Sequence, residues 1–211
     1  MFDRKWILAA TVLPVVVLYL LLGDSPVFAP EQSSARIAEQ DRSESVSVGA
    51  GGPYSLHGRI VEVTDGDTLR IRVNAETVDV QRVRLASVDA PERTTGSDRP
   101  GQPFADASKR FLARQVQGDT LILTCFEQDP YGRHICDVPD SDKPSATVNQ
   151  ALVAAGLAWA NMEGNGRFLR DRALLDLQKR AQSEKLGIWS EPDPVAPWVW
   201  RYQCWRKGQC Q

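Results

Sequence analysis

The stretch T-D-G-D-T-L-R-I-R-V-N-A-E-T-V-D-V-Q-R-V-R-L-A-S-V-D-A-P-E, Thr64 to Glu92, decides how the chain is read. Asp65 and Asp67 sit in a tight turn between two apolar-alternating runs, where Asp-Gly is a strong hairpin signal. Asp89 and Glu92 follow a later run, with Arg84 between the two acidic groups. A hard cation needs carboxylates from separate segments brought together. Strands can do this, because every second side chain points the same way. In a straight strand over Val78–Val88, however, Arg84 and Asp89 differ in parity and face opposite sides. If both serve one site, the strand must bend, bulge or end before Asp89. Ala90-Pro91 makes an ending the expected solution, since proline cannot donate to a ladder and restricts the residue before it.

Outward from this stretch, Leu56–Val63 and Leu69–Val73 read as the first two strands and Val78–Val88 as the third. Thr120–Phe126 and His134–Val138 read as two more. Between them, Asp129-Pro130-Tyr131-Gly132 has the residues of a type I turn and would present Arg133 at a strand start. Phe104–Val116, Thr147–Ala155 and Phe168–Ser183 carry helical spacing, the last with Phe168, Leu169, Ala173, Leu177 and Ala181 facing the core. Gly156 closes the second helix. Arg93–Pro103 is polar, with Gly, Pro and Ser, and is expected as a mobile loop beside the site. His57 and His134 read as surface or rim residues, and no Cys/His spacing matches a zinc site.

The motifs Asp65–Thr68, Arg84–Glu92 and Asp129–Arg133 resemble the staphylococcal nuclease (thermonuclease) family. V-N-Q-A-L-V-A-A-G-L-A at Val148–Ala158 and G-I-W at Gly187–Trp189 continue the resemblance in order, so that it covers Leu56 to Trp189. It implies a β-barrel with helices: an OB-type five-stranded barrel carrying about three helices. It also implies that Asp67 and Asp89 bind calcium, with the Ala90 backbone carbonyl as a further ligand and magnesium or manganese as alternatives. Glu92 would orient or deprotonate the attacking water. Arg84 and Arg133 would hold the scissile phosphate, with Asp65 and Tyr131 supporting. Two departures stand out. Ala90 replaces a hydroxyl residue, at a position where only the carbonyl is the ligand. The tyrosines that help seat the nucleotide are replaced by Trp159-Ala160-Asn161-Met162, which bears on affinity and base preference.

The same residues make chemical sense by themselves. Phosphodiester hydrolysis builds negative charge on phosphate oxygens, which a divalent cation and guanidinium forks can stabilise. Arginine suits this better than lysine, offering paired donors in one plane. Oxygen ligands favour calcium or magnesium over zinc. Two carboxylate ligands alone would bind calcium weakly, which suits a calcium-rich compartment.

The N-terminal 29 residues read as a membrane anchor or signal sequence. Trp6–Leu22 is an uncharged, predominantly apolar run behind Arg4 and Lys5, an arrangement that leaves the rest of the chain on the extracytoplasmic side. Pro14 interrupts it, and no amphipathic stripe marks it as a buried helix. The reading is an uncleaved transmembrane helix; the alternative is secretion after cleavage at Val27-Phe28-Ala29. Residues 30–53 read as a disordered linker, 54–190 as the nuclease-like domain and 191–211 as a tail. Trp198, Trp200 and Trp205 in that tail are expected to pack against the domain. Four cysteines outside the cytoplasm suggest two disulfides. Cys125 and Cys136 are symmetric about the Pro130–Tyr131 bond and would face each other in a simple hairpin, leaving Cys204 to Cys210; a bulge at Gly132 would shift that register by one.

Residues 54–211 hold as many Lys and Arg as Asp and Glu, which argues against a tight, sequence-specific DNA-binding module. The expectation is a nuclease acting on DNA or RNA with little sequence specificity, tethered to a membrane and needing no obligate protein partner. The alternatives are a nuclease-like barrel that binds without cutting, and an envelope adaptor.

Overall fold

The computed structural model describes residues 52–73, 79–143 and 145–210. The expected membrane segment and most of the linker lie outside the described residues, as does Val78 at the start of the third expected strand. Among the described residues no helix is long and apolar enough to cross a membrane.

Alternation of apolar and polar residues builds the sheet. In β1, Tyr54–Val63, Leu56 and Ile60 point inward, and a register shift between Ile60 and Glu62 lets Val63 point inward as well. β2, Thr68–Arg72, pairs antiparallel with β1 and with β3, Val80–Leu85. β5, Thr120–Gln128, pairs antiparallel with β1 and with β6, His134–Asp137. A parallel pairing of β3 with β6 closes the barrel in the order β1-β2-β3-β6-β5. This closed five-stranded barrel with packed helices is the expected OB-type architecture, and closure leaves no free edge. Its interior is filled by Leu56, Ile60, Leu69, Ile71, Val83, Leu85 and Leu123.

β3 ends at Leu85, the chain turns through Ala86-Ser87, and β4, Val88–Asp89, begins a separate ladder with β7, Trp159–Ala160. Ser87 sits at φ 65°, a left-handed value. Its Oγ accepts the backbone N–H groups of Arg170 and Asp171 at 2.8 and 3.2 Å. The required ending before Asp89 is therefore present, as a turn held from across the fold.

The helices anchor the rim. α1, Ala105–Val116, buries Leu112 and Val116, and its Ser108 hydroxyl donates to the Leu157 carbonyl at 2.6 Å. α2, Val148–Ala154, starts with a capping box between Thr147 and Gln150. Its buried Asn149 donates to the carbonyls of Ala86 and Cys136 and accepts from Val138 N–H, tying the helix to the ends of β3 and β6. α3, Glu163–Gly166, is a single turn broken by left-handed Gly164 and Asn165. α4, Ala173–Ser183, is shorter than expected. Phe168–Arg172 stays outside it because Ser87 Oγ and Asp171 Oδ1 bind the N–H groups of this segment and of Ala173. Its inner face buries Leu174 and Ala181; Leu169 and Leu177 pack against the core as expected, while Phe168 and Ala173, also expected inward, are exposed.

The β5–β6 hairpin reaches the expected disulfide by a compensated route. Gly132 lies at φ 70°, and beyond the turn Gln128 faces His134 and Glu127 faces Ile135, one residue out of register. A bulge at Phe126 takes up that residue, so Cys125 faces Cys136 and the two are bonded. His134 is buried rather than on the rim: Tyr54 Oη lies 2.6 Å from Nδ1 and Gln128 Nε2 lies 3.0 Å from Nε2.

After a 3-10 turn at Gly187–Ser190, α5, Pro197–Trp200, runs into a π-helical turn, Arg201–Arg206. The tryptophans pack as expected. Trp198 meets Trp159 edge-on at 6.0 Å, and both Trp200 and Trp205 donate their indole N–H to the Pro100 carbonyl, at 3.0 and 2.9 Å. Cys204 is buried and bonded to Cys210. The Arg93–Pro103 loop, expected to be mobile, is tied by these indoles and by Thr95 N–H to Arg99 O and Gly101 N–H to Thr94 Oγ1.

Candidate active site

The loop between β1 and β2 brings Asp67 to the barrel rim. Gly66 is required by close approach: a Cβ there would stand 2.6 Å from Ala90 Cβ and 2.7 Å from Ser108 Cβ. The loop thus lies flat against α1 and Ala90. Asp67 is 4% exposed and Asp89 0%. Arg84, opposite Thr68 in the β2–β3 ladder, joins them. Its Nη1 pairs with Asp67 Oδ1, and its Nη2 reaches Asp89 Oδ1 at 2.7 Å. The Ala90 N–H donates to Asp67 Oδ2 at 2.7 Å, and Thr68 Oγ1 donates to Oδ1 at 3.1 Å. Glu92 is held by its backbone, its N–H donating to Gln102 Oε1 at 3.0 Å and its carbonyl accepting from Gln102 N–H at 2.8 Å.

Electrostatics separates these carboxyls. Burial pushes the Asp65 carboxyl up to about 7, helped by the Asp67 charge beside it. Burial also acts against ionised Asp67, but the Arg84 guanidinium and the Ala90 N–H outweigh it and hold that carboxyl below its usual value. Burial raises the Glu92 carboxyl, and Arg201 opposes the rise. For Arg84 desolvation is outweighed by Asp67 and Asp89, so the guanidinium is held more firmly charged than usual.

Arg133 does not join this network. Its Nε and Nη2 bind Asp129 Oδ2 at 2.7 and 2.6 Å, and Asp129 Oδ1 accepts the N–H groups of Tyr131 and Arg133. It stands at the start of β6, two residues before Ile135, the parallel-ladder partner of Arg84. Tyr131 is 72% exposed; its ring lies under the Arg133 guanidinium, with Arg133 Cζ 5.6 Å from the centroid. Its carbonyl accepts from Arg82.

The sequence reading missed one residue at the centre of the cluster. Arg201, from the tail, places Nη2 2.9 Å from Asp89 Oδ2 and Nη1 2.6 Å from Glu92 Oε1. Nη2 is also 3.4 Å from Glu163 Oε2. Nothing in the tail's composition marks this arginine apart from its position among the tryptophans.

The donor set fits a hard divalent cation. It offers carboxylate oxygens on Asp67 and Asp89 and neither sulfur nor imidazole, and the family resemblance would add the backbone carbonyl of Ala90. Among the described residues no three His, Cys, Asp or Glu side chains form a metal cage by themselves. A cation here would need that carbonyl, water or substrate to complete its shell.

Paired aspartates, a guanidinium and a partly buried glutamate meet at the rim of an OB-type barrel, the groups that phosphoester hydrolysis calls on. The family described as Staphylococcal nuclease homologue matches residues 82–191. An "Uncharacterized endonuclease" of Escherichia coli O157:H7 is 37% identical over 148 residues, covering 70% of this chain and 86% of its own length. A "Micrococcal nuclease" of Shigella flexneri is 33% identical over 165 residues, covering 74% and 85%. An "Uncharacterized endonuclease" of Haemophilus influenzae is 30% identical over 145 residues, covering 69% and 72%. The chain belongs to the staphylococcal nuclease family, and with it to the nuclease hydrolases.

Proposed function

We propose that the protein cleaves phosphodiester bonds of DNA or RNA, using a divalent cation, calcium first, with little sequence specificity. The observation that carries this is the convergence of Asp67 and Asp89 on Arg84, with Glu92 at the same rim. Relatives bearing endonuclease and micrococcal nuclease names support it.

Asp67, Asp89 and the Ala90 carbonyl would hold the cation, which would supply charge stabilisation at the phosphate oxygens. Glu92 orients the attacking water and accepts its proton; burial raises its carboxyl and makes the ionised form a better acceptor. Arg84, held charged by two aspartates that each take one of its Nη atoms, offers its remaining N–H groups to the phosphate. Arg133, held in one orientation by Asp129, binds the same phosphate from the neighbouring strand. Asp65, its carboxyl raised by burial and by the Asp67 charge, supports the cluster beside Asp67. The products carry 5′-hydroxyl and 3′-phosphate ends.

The domain works outside the cytoplasm, tethered by the apolar N-terminal run; the two disulfides of the described residues support this placement. End-group analysis tests the chemistry: digests of a labelled oligonucleotide should show 3′-phosphate ends that a phosphatase removes. Products ending in 5′-phosphate would contradict it.

A further inference from the structure

Arg201 lies far in sequence from the other rim residues, yet it contacts three carboxylates there, Asp89, Glu92 and Glu163. We propose that Arg201 is an internal competitor of the divalent cation: carried by the C-terminal strap, it occupies Asp89 and Glu92 until a cation displaces it. The inference rests on the reading of Asp67 and Asp89 as the cation site.

The geometry of a surrogate cation is present. Both Asp89 oxygens are engaged by Arg201, Oδ2 at 2.9 Å and Oδ1 at 3.2 Å, while Oδ1 also serves Arg84. Glu92 Oε1 is taken at 2.6 Å and Glu163 Oε2 at 3.4 Å, so one guanidinium bridges β4, the loop after it and α3. Asp89 has few lone pairs left for a metal in this state. Arg84 holds only one oxygen of Asp89, so the lone pairs that Arg201 holds are the ones a cation at Asp89 would need. Two cations on those same lone pairs repel each other, so binding of one weakens binding of the other.

The strap is docked independently of this arginine. Trp200 and Trp205 both bind the Pro100 carbonyl, Arg99 lies over the Trp205 ring at 5.6 Å, and Gln102 Nε2 donates to the Val195 carbonyl at 2.7 Å. Cys204–Cys210 closes the strap on itself. Gln102 also holds the Glu92 backbone, so strap and site share one support. Arg201 opens the π-helical turn, a local distortion of the kind found at functional positions. Removing its charge should leave the strap seated and free the carboxylates.

The test is calcium binding by isothermal titration on the full-length, oxidised chain. Arg201→Gln should bind calcium at least about fivefold more tightly than the wild type, the range of a competing linkage. Arg206→Gln removes an exposed charge from the same strap and should stay within about twofold. Arg201→Lys, which keeps the charge and loses the fork, should fall between. Equal or weaker calcium binding in Arg201→Gln overturns the proposal. Asp89→Asn separates the two levels. If calcium binds the wild type and Asp89→Asn equally, or binds neither, the cation-site reading itself fails and the competitor falls with it.

Discussion

Arg84 Nη2 lies 2.7 Å from Asp89 Oδ1, although the two residues are five apart and would face opposite sides of a straight strand. The left-handed turn at Ser87 reverses the phase of the chain, and the site exists because of it. Ser87→Ala keeps the strain and removes the acceptor of two backbone N–H groups. It should cost about 2 kcal/mol in urea unfolding and lower cleavage as Asp89 drifts from Arg84.

Gly66→Ala should damage the site from the other side. The added Cβ meets Ala90 and Ser108 Cβ atoms at 2.6 and 2.7 Å, and one is on the rim itself. We expect about 1–3 kcal/mol of destabilisation. Because Asp67 accepts the Ala90 N–H, turnover should fall further than the melting temperature alone explains.

Burial and the nearby Asp171 charge push the Asp137 carboxyl up to about 6, against Arg170. A carboxyl raised in the folded state favours folding most at pH below about 4 and loses that contribution as pH rises through about 6. Asp137→Asn, which leaves an amide beside Asn149 Nδ2, should flatten the stability profile between those values. The gain at pH 7 should be about 1 kcal/mol, since partial solvation screens the charge.

The Cys125–Cys136 bond closes the hairpin that presents Arg133. Replacing both cysteines by alanine should lower stability by roughly 2–3 kcal/mol. It should also weaken substrate binding more than the loss of Cys204–Cys210 does.

Much of this was readable from local pattern. The strands of the barrel, the Asp129–Gly132 turn and the need for a break before Asp89 all follow from residues within about ten positions of each other. What was not readable depends on distant partners. The parallel β3–β6 pairing and the two-residue β4–β7 ladder carry no periodicity of their own. α4 starts late because Ser87, more than eighty residues earlier, holds the segment before it. Gly132 marked the register shift at the turn, but the Phe126 bulge that restores the disulfide register has no mark in composition. Arg201 reaches Asp89 across 112 positions, so only the folded chain could reveal it.

The most direct measurement is cleavage of single-stranded and duplex DNA by the full-length, oxidised chain, with calcium and then with excess chelator. Glu92→Gln and Arg133→Ala run beside the wild type. The account predicts cleavage with calcium, none with chelator, and losses of at least about a hundredfold in both variants. A folded wild type that cuts nothing in calcium, magnesium or manganese would contradict it, as would variants that cut at the wild-type rate.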